Sequence, residues 1–206
     1  MIFILRAIRR KIMPMWTDLW AEICEKPNHG KMVQLGSGLA TRIQGAIHVD
    51  IAGNTNPDII FNLNDTPYPF QDNSIDFIVA ISILEHLDDF LGVMAEIHRI
   101  AKPGASVYIL VPHFSSASAF VDPTHCQHLS ARSCDYFICG TDLESKYGFY
   151  IPFRYNLVRR YVELAGVFKY VPPLRWLANN QNAFWEEYVC FIVRGSGVFW
   201  ELAVKK

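Results

Sequence analysis

The chain has 206 residues, 51% of them apolar, and a formal net charge of −1. That length suits one domain with a proper core, and the balanced charge excludes a general electrostatic attraction to nucleic acid. No apolar run reaches the roughly 20 residues that span a bilayer, and five cysteines without paired spacing read as reduced thiols of a cytoplasmic protein.

Ile2 to Ile23 has apolar residues at helical spacing, with Arg6, Arg9, Arg10 and Lys11 gathered early and Pro14 interrupting the run. It reads as a lid or packing helix with a solvated basic face. A sharper reading is an amphipathic helix on a membrane surface or an anionic substrate. The opening MIFILRAIRRKIM puts apolar residues before basic ones and offers no small-residue cleavage site, the wrong order for export. Lys26 to Gly30 is a turn cluster.

Met32 to Ile51 is the organising stretch. An apolar run ends at Leu35, Gly36-Ser37-Gly38 turns the chain, and a second apolar run stops at Asp50. A buried strand, a glycine turn and a strand ending in an acid form the pattern of a nucleotide-type cofactor site. Gly36 and Gly38 leave the backbone free to lie against a ligand, and Asp50 can accept hydrogen bonds from ribose hydroxyls. The dinucleotide fingerprint is not met. Its sixth position is Thr41, and Asp50 follows Gly38 by only twelve residues. The first crossover therefore holds no more than a helical turn. A pyrophosphate wants a helix amino terminus, so an adenosine ligand without phosphates fits better, which points to S-adenosylmethionine. An ordinary strand-turn-strand is the alternative on this stretch alone.

Residues 53–57 are loop, Asp58 to Leu63 a short third strand, and residues 64–70 a proline-stiffened loop. Asn62 could read an adenine edge while Leu63 packs on its face; equally, they could be a turn residue beside a core leucine. Ser74 to Ile81 is almost wholly apolar, as for a strand covered on both faces. Ser82 to Leu87 leaves its carboxyl end, and Asp88-Asp89 cap a helix with Phe90, Leu91, Met94, Ile97 and Ile100 inward. Lys102-Pro103-Gly104 ends that helix, and Ala105 to Val111 is the fifth strand. The alternation predicts a doubly wound, mostly parallel α/β sheet. Phe153 to Ala165 then reads as a helix closed by Gly166, and Phe168 to Val171 as a short strand. Residues 174–193 stay open between helix and strand. Val198 to Val204 reads as the last strand. The aromatic residues from Trp176 to Trp200 read as core and could bury a homodimer face.

LGSG, VDI, FNLNDTPYPFQDNSIDFIVAISILEHLDD and IAKPGASVYILVP, in that order, resemble the class I S-adenosylmethionine-dependent methyltransferases of the small-molecule type. The match spans residues 32–113 and is specific as an ordered set. HFSSASAFVDPTHCQHL resembles, more loosely, a substrate-side segment of some of those enzymes, some of which act on sugars. The resemblance implies a Rossmann-like sheet whose last strand inserts antiparallel near the edge. It implies that Gly36, Ser37 and Gly38 line the methionine and ribose part, that Asp50 takes the ribose hydroxyls and that Ile51 lies against the adenine. Asn62 and Leu63 would flank the base, and Ser82 would reach the cofactor from the fourth strand. Two departures stand out: Gln34 where the family has an acid, and Ala40 in place of a third glycine. Enzymes of this fold that methylate amines of nucleic acid bases carry Asn or Asp, Pro-Pro and an aromatic after the fourth strand. Ile81-Ser82-Ile83-Leu84 stands there instead, so DNA or RNA is not the expected substrate.

Methyl transfer needs alignment and exclusion of water, and an oxygen nucleophile needs a general base. The candidates lie between His113 and His128. His113 follows the fifth strand, His125 sits in a polar loop, and Asp122 could orient a neutral histidine. The same residues could instead only fix loop shape. His125 and His128, with Asp122 and His113, could bind zinc or a magnesium-type ion, but no CxxC pair supports this and no metal is expected. His86 reads as a pocket wall, and His29, His48 and His98 as structural. The whole reads as a single domain over residues 1–206: an N-terminal helical segment (1–30), a cofactor-binding half (31–112) and a substrate-side half that completes the sheet (113–206). The expected activity is S-adenosylmethionine-dependent methyl transfer to a small-molecule oxygen, a sugar or other metabolite hydroxyl. The alternative is a regulatory or scaffold protein that binds the cofactor without catalysis.

Overall fold

The computed structural model describes residues 21, 23–24, 30–39 and 42–206. The helix expected from Ile2, with its basic cluster, falls almost entirely outside the described residues, as do Ala40 and Thr41. Seven strands form one sheet in the order β3-β2-β1-β4-β5-β7-β6. They are β1 (Met32–Leu35), β2 (Ile47–Asp50), β3 (Ile59–Ile60), β4 (Ile75–Ile81), β5 (Ala101–Pro112), β6 (Arg154–Leu164) and β7 (Gly195–Lys205). β1 to β5 run parallel, and β7 pairs antiparallel with both β5 and β6. The doubly wound sheet with an antiparallel C-terminal strand is therefore present. The strand order reverses between β1 and β4, and open α/β sheets bind ligands outside the carboxyl ends of such strands.

Alternation along the central strands builds two apolar faces. Val33, Leu35, Ile78, Ala80, Val107 and Ile109 face one cluster, covered by Val93, Met94 and Ile97 of helix α1 (Phe90–Ile100). Met32, Val79, Ile81, Tyr108 and Leu110 face the other, where Ile23 and Phe199 pack. Asp89 caps α1, its side chain accepting from the Gly92 amide at 2.9 Å. Among the described residues no helix is long and apolar enough to cross a membrane.

Four expectations change. Arg154–Leu164 is a strand, not a helix, laddered along most of its length with β7. Its register slips between Leu157 and Arg159 and again between Glu163 and Leu164, so the inward positions change phase and imitate helical spacing. Gly166–Tyr170 is a 3₁₀ turn where a strand was expected, and Pro172 opens helix α4 (Pro172–Asn180), followed by α5 (Asn182–Tyr188). The short helices α2 (Ser118–Val121) and α3 (Asp142–Tyr147) precede them in the chain. The third strand shrinks to Ile59–Ile60, and Lys102-Pro103-Gly104 lies inside β5 rather than between helix and strand. The last strand is where it was expected, though one place in from the edge, with β6 outside it.

Asp76 ties three strand beginnings together. Its carboxylate accepts from the Lys31 amide at 2.9 Å and from Lys102 Nζ at 2.8 Å on both oxygens. The Lys102 ammonium, then the Lys31 amide, hold this carboxyl below its ordinary value. A carboxyl depressed in the folded state stabilises fully above its unfolded value of about 3.9 and loses that contribution as pH falls through the folded value. Asp76→Asn should therefore lower the unfolding free energy by about 0.2–1 kcal/mol at pH 7, the range of partly exposed pairs. Urea denaturation at pH 7 and pH 3 checks this, and the gap should shrink at the lower pH.

Candidate active site

The first part of the site lies at the ends of β1 and β2. Gly36 adopts φ +62°, and its amide donates to the Val49 carbonyl at 2.8 Å. A Cβ on Gly36 would stand 2.4 Å from Ile83 Cγ1, so only glycine lets the turn pass beneath the segment leaving β4. Gly38 donates to Asp50 Oδ2 at 2.8 Å, and Ala52 donates to Oδ1 at 2.9 Å. Two amides thus aim the carboxylate, and each oxygen keeps a lone pair to offer. Gln34, at the position where an acid was anticipated, is fully buried and accepts the Ile43 amide at 2.9 Å, which pins the crossover.

A cleft of about 210 Å³ opens here. Gly36, Asp50, Ile51, Asn62 and Leu63 line it together with Phe61, Asn64, Ile83, His86 and Leu87. Asn62 Oδ1 accepts the Asn64 amide at 3.1 Å, closing an Asx turn that sets the shape of this wall. Leu63 is buried beneath it, its carbonyl accepting from the Tyr68 hydroxyl at 3.0 Å. Ser37 is fully buried and, like Gly38, is not part of the lining.

The second part is a more open cavity of about 510 Å³, lined by Ser82, Glu85, His86, Pro112, Ser118, Val121, Asp122 and His125. His86 belongs to both linings. Ser82 sits at φ +48° as the chain leaves β4, its amide donating to the Leu110 carbonyl at 2.8 Å. The loop after β5 is laced over this turn. The Glu85 carbonyl accepts the Cys126 and Gln127 amides at 2.7 and 3.0 Å, and Gln127 Nε2 donates to the Asp88 carbonyl at 3.0 Å. These bonds bring His125 to His86, ring centroids 4.6 Å apart and nearly perpendicular.

The partners of the two imidazoles decide which nitrogen faces the cavity. The Thr124 hydroxyl donates to Asp122 Oδ1 at 2.7 Å, so it accepts from His86 Nδ1 at 2.9 Å. His125 Nδ1 lies 3.1 Å from the Ala119 carbonyl, which can only accept. Both rings therefore carry their proton on Nδ1 and present the Nε2 lone pair. Between them is Glu85, only 2% exposed, whose two carboxylate oxygens find no hydrogen-bond partner among the described residues. Burial pushes this carboxyl up to about 7. Asp122 lies on the other side of the ordinary value, held low by the Thr124 hydroxyl and amide.

The structure does not gather all the residues named from sequence. His113 is fully buried and outside both linings. Its Nε2 donates to Glu186 Oε1 at 3.0 Å, and its Nδ1 accepts from the Ser115 hydroxyl and amide at 2.8 and 3.1 Å. Ser115 Oγ in turn accepts the Gly195 amide at 3.0 Å. A Cβ on Gly195 would stand 2.8 Å from the imidazole, so the ring is packed against the start of β7. His128 lies on the Phe120 ring at 4.4 Å. Asp122 serves Thr124, and through it His86, rather than the His125 ring. Glu85 was missed from sequence; the available signal was an acid beside a histidine directly after an all-apolar strand.

Residues 47–109 match the family model described as a methyltransferase domain. No curated protein matches the chain by sequence. Solved structures share its fold. A SAM-dependent methyltransferase from Archaeoglobus fulgidus is 15% identical, covering 98% of this chain and 99% of that one, with a TM-score of 0.53. A putative methyltransferase from Bacillus halodurans is 9% identical over 91% and 98%, with a TM-score of 0.56. A phosphoethanolamine N-methyltransferase 2 from Haemonchus contortus, in complex with S-adenosyl-L-methionine, is 13% identical over 94% of this chain and 53% of that one, with a TM-score of 0.55. The family match runs from β2 into β5, the part of the sheet that carries Asp50, Asn62 and Leu63 of the cleft, and the solved methyltransferases share the fold of the whole sheet.

Proposed function

We propose that the chain methylates a hydroxyl of a small molecule held in the 510 Å³ cavity. The observation that carries this reading is the sharing of His86 by that cavity and the narrower cleft, which supports an acceptor site beside a cofactor site. The cavity has the volume of a metabolite pocket. The balanced charge and the apolar segment after β4 argue for such an acceptor over a nucleic acid.

The residues of the cleft fit S-adenosylmethionine. Gly36 offers close backbone where a Cβ would not fit, and Asp50 is aimed with lone pairs to spare. When bound, the cofactor supplies a methyl group already activated on a sulfonium. Asp50 would hold the ribose hydroxyls, Ile51, Asn62 and Leu63 would frame the adenine, and Gly36 would face the methionine side. The chain's remaining tasks are to seat the acceptor and to withdraw its proton. Glu85, His86 and His125 present the basic atoms for that on one side of the cavity. Asp122 acts at one remove, by fixing Thr124 against His86.

Isothermal titration should show binding of S-adenosylmethionine and S-adenosylhomocysteine, and labelled methyl should pass to a pool of hydroxylated metabolites. Binding without any turnover would favour the non-catalytic reading. Asp50→Ala should weaken S-adenosylhomocysteine binding by about 1–3 kcal/mol, the loss of hydrogen bonds to a charged group in a partly buried site; unchanged affinity would remove its ribose role. His125→Ala should lower kcat about 10²–10⁴-fold with that affinity intact, whereas His113→Ala should act through stability, measured as a lower melting temperature.

A further inference from the structure

We propose that Glu85, His86 and His125 form a binding site for a divalent transition-metal ion of the zinc class at the wall of the acceptor cavity. One carboxylate oxygen and one nitrogen from each ring lie within 4.8 Å of one another. Tetrahedral zinc with bonds of about 2.1 Å holds its ligand atoms roughly 3.4 Å apart, so small side-chain rotations close the set. Two imidazoles and one carboxylate form a known zinc donor set that leaves a position open, and all three residues line the cavity.

Three independent features point to a cation. The first is Glu85, a carboxylate 2% exposed with neither oxygen hydrogen-bonded among the described residues. A buried carboxylate needs a positive partner or a proton, and no ion pair among the described residues supplies one. The second is the outer partner of each ring. Ligating histidines donate their other N–H to a carbonyl or carboxylate, which fixes tautomer and aim. His125 Nδ1 does so to the Ala119 carbonyl, and His86 Nδ1 does so through Thr124 to Asp122. The third is the backbone clamp from the Glu85 carbonyl to residues 126 and 127, which holds His125 in place without using its ring.

The inference deepens the proposed function and rests on its placement of the acceptor. An ion at this site would take an acceptor oxygen as its next ligand and lower the pKa of that hydroxyl. With both rings engaged as ligands, the proton would leave to solvent water through the cavity mouth, the acceptor oxygen would bond to the methyl carbon as that carbon's bond to the sulfonium sulfur breaks, and S-adenosylhomocysteine would be released. The favoured acceptor class is one with two adjacent oxygens, which can chelate.

The test uses the full chain, stripped with a chelator and titrated with Co²⁺ and, separately, Zn²⁺. One equivalent should bind, Co²⁺ giving visible bands of low-symmetry coordination without a thiolate charge-transfer band, since Cys126 is not in the set. Glu85→Gln, nearly isosteric, and His125→Ala should each weaken binding about tenfold or more, while His128→Ala and Cys126→Ser leave it unchanged. Circular dichroism checks folding of each variant, and a rise in melting temperature of the unmutated chain with Zn²⁺ reads the site without any substitution. No binding, a thiolate band, or equal binding by Glu85→Gln would overturn the site. S-adenosylhomocysteine titrations on the same samples separate the two claims. Cofactor binding without the ion removes only the metal; ion binding without the cofactor removes the methyl-transfer reading and leaves the site.

Discussion

The site depends on β4 being held in place from both sides. It pairs with β1 along one edge and β5 along the other, and its side chains are covered on both faces. A strand so fixed has no low-cost way to slide, because a one-residue slip would invert every inward residue. The segment leaving it, Ser82 to Leu87, is therefore a rigid platform. One side of that platform meets the Gly36 turn, through Ile83. The other meets the loop after β5, through the Glu85 carbonyl and His86.

This arrangement explains the division of labour among polar groups. Asp50 is supplied with two amides and kept partly open, which suits a carboxylate that meets a polar ligand. Glu85, four residues past the end of β4, has no such pair of amides and almost no water-facing surface. The same functional group is thus placed in opposite environments on the two sides of His86. Such contrasts mark functional positions more often than structural ones.

The half of the chain after β5 serves mainly to bend one loop into place. His113, Ser115 and Glu186 join the end of β5, the start of β7 and helix α5 in one buried polar network. The Trp200 indole donates to the Ala131 carbonyl at 3.0 Å, and the Glu186 carboxylate accepts the Ala131 amide. These bonds anchor both ends of the segment that carries Asp122 and His125. The antiparallel strand β7, set between β5 and β6, gives them a scaffold that the parallel half could not.

The sequence by itself determined the parallel half. Its strands are short apolar runs bounded by glycine, proline and acids, and local pattern was enough to place β1, β2, β4, β5 and the acid at the end of β2. It also marked Gly36, Asp50, Asn62 and Leu63 as neighbours-to-be, because the topology of such a sheet brings strand ends together. Tertiary structure alone decided the rest. β6 is stabilised by a ladder to β7 with two register slips, which local spacing cannot report. Whether a histidine is a base, a ligand or a staple depends on what its two nitrogens touch, and those partners come from 73 residues away for His113 and 38 for His86. Burial of Glu85 without a partner is likewise a property of the packed molecule, since desolvation exists only once the surrounding chain has closed around the group.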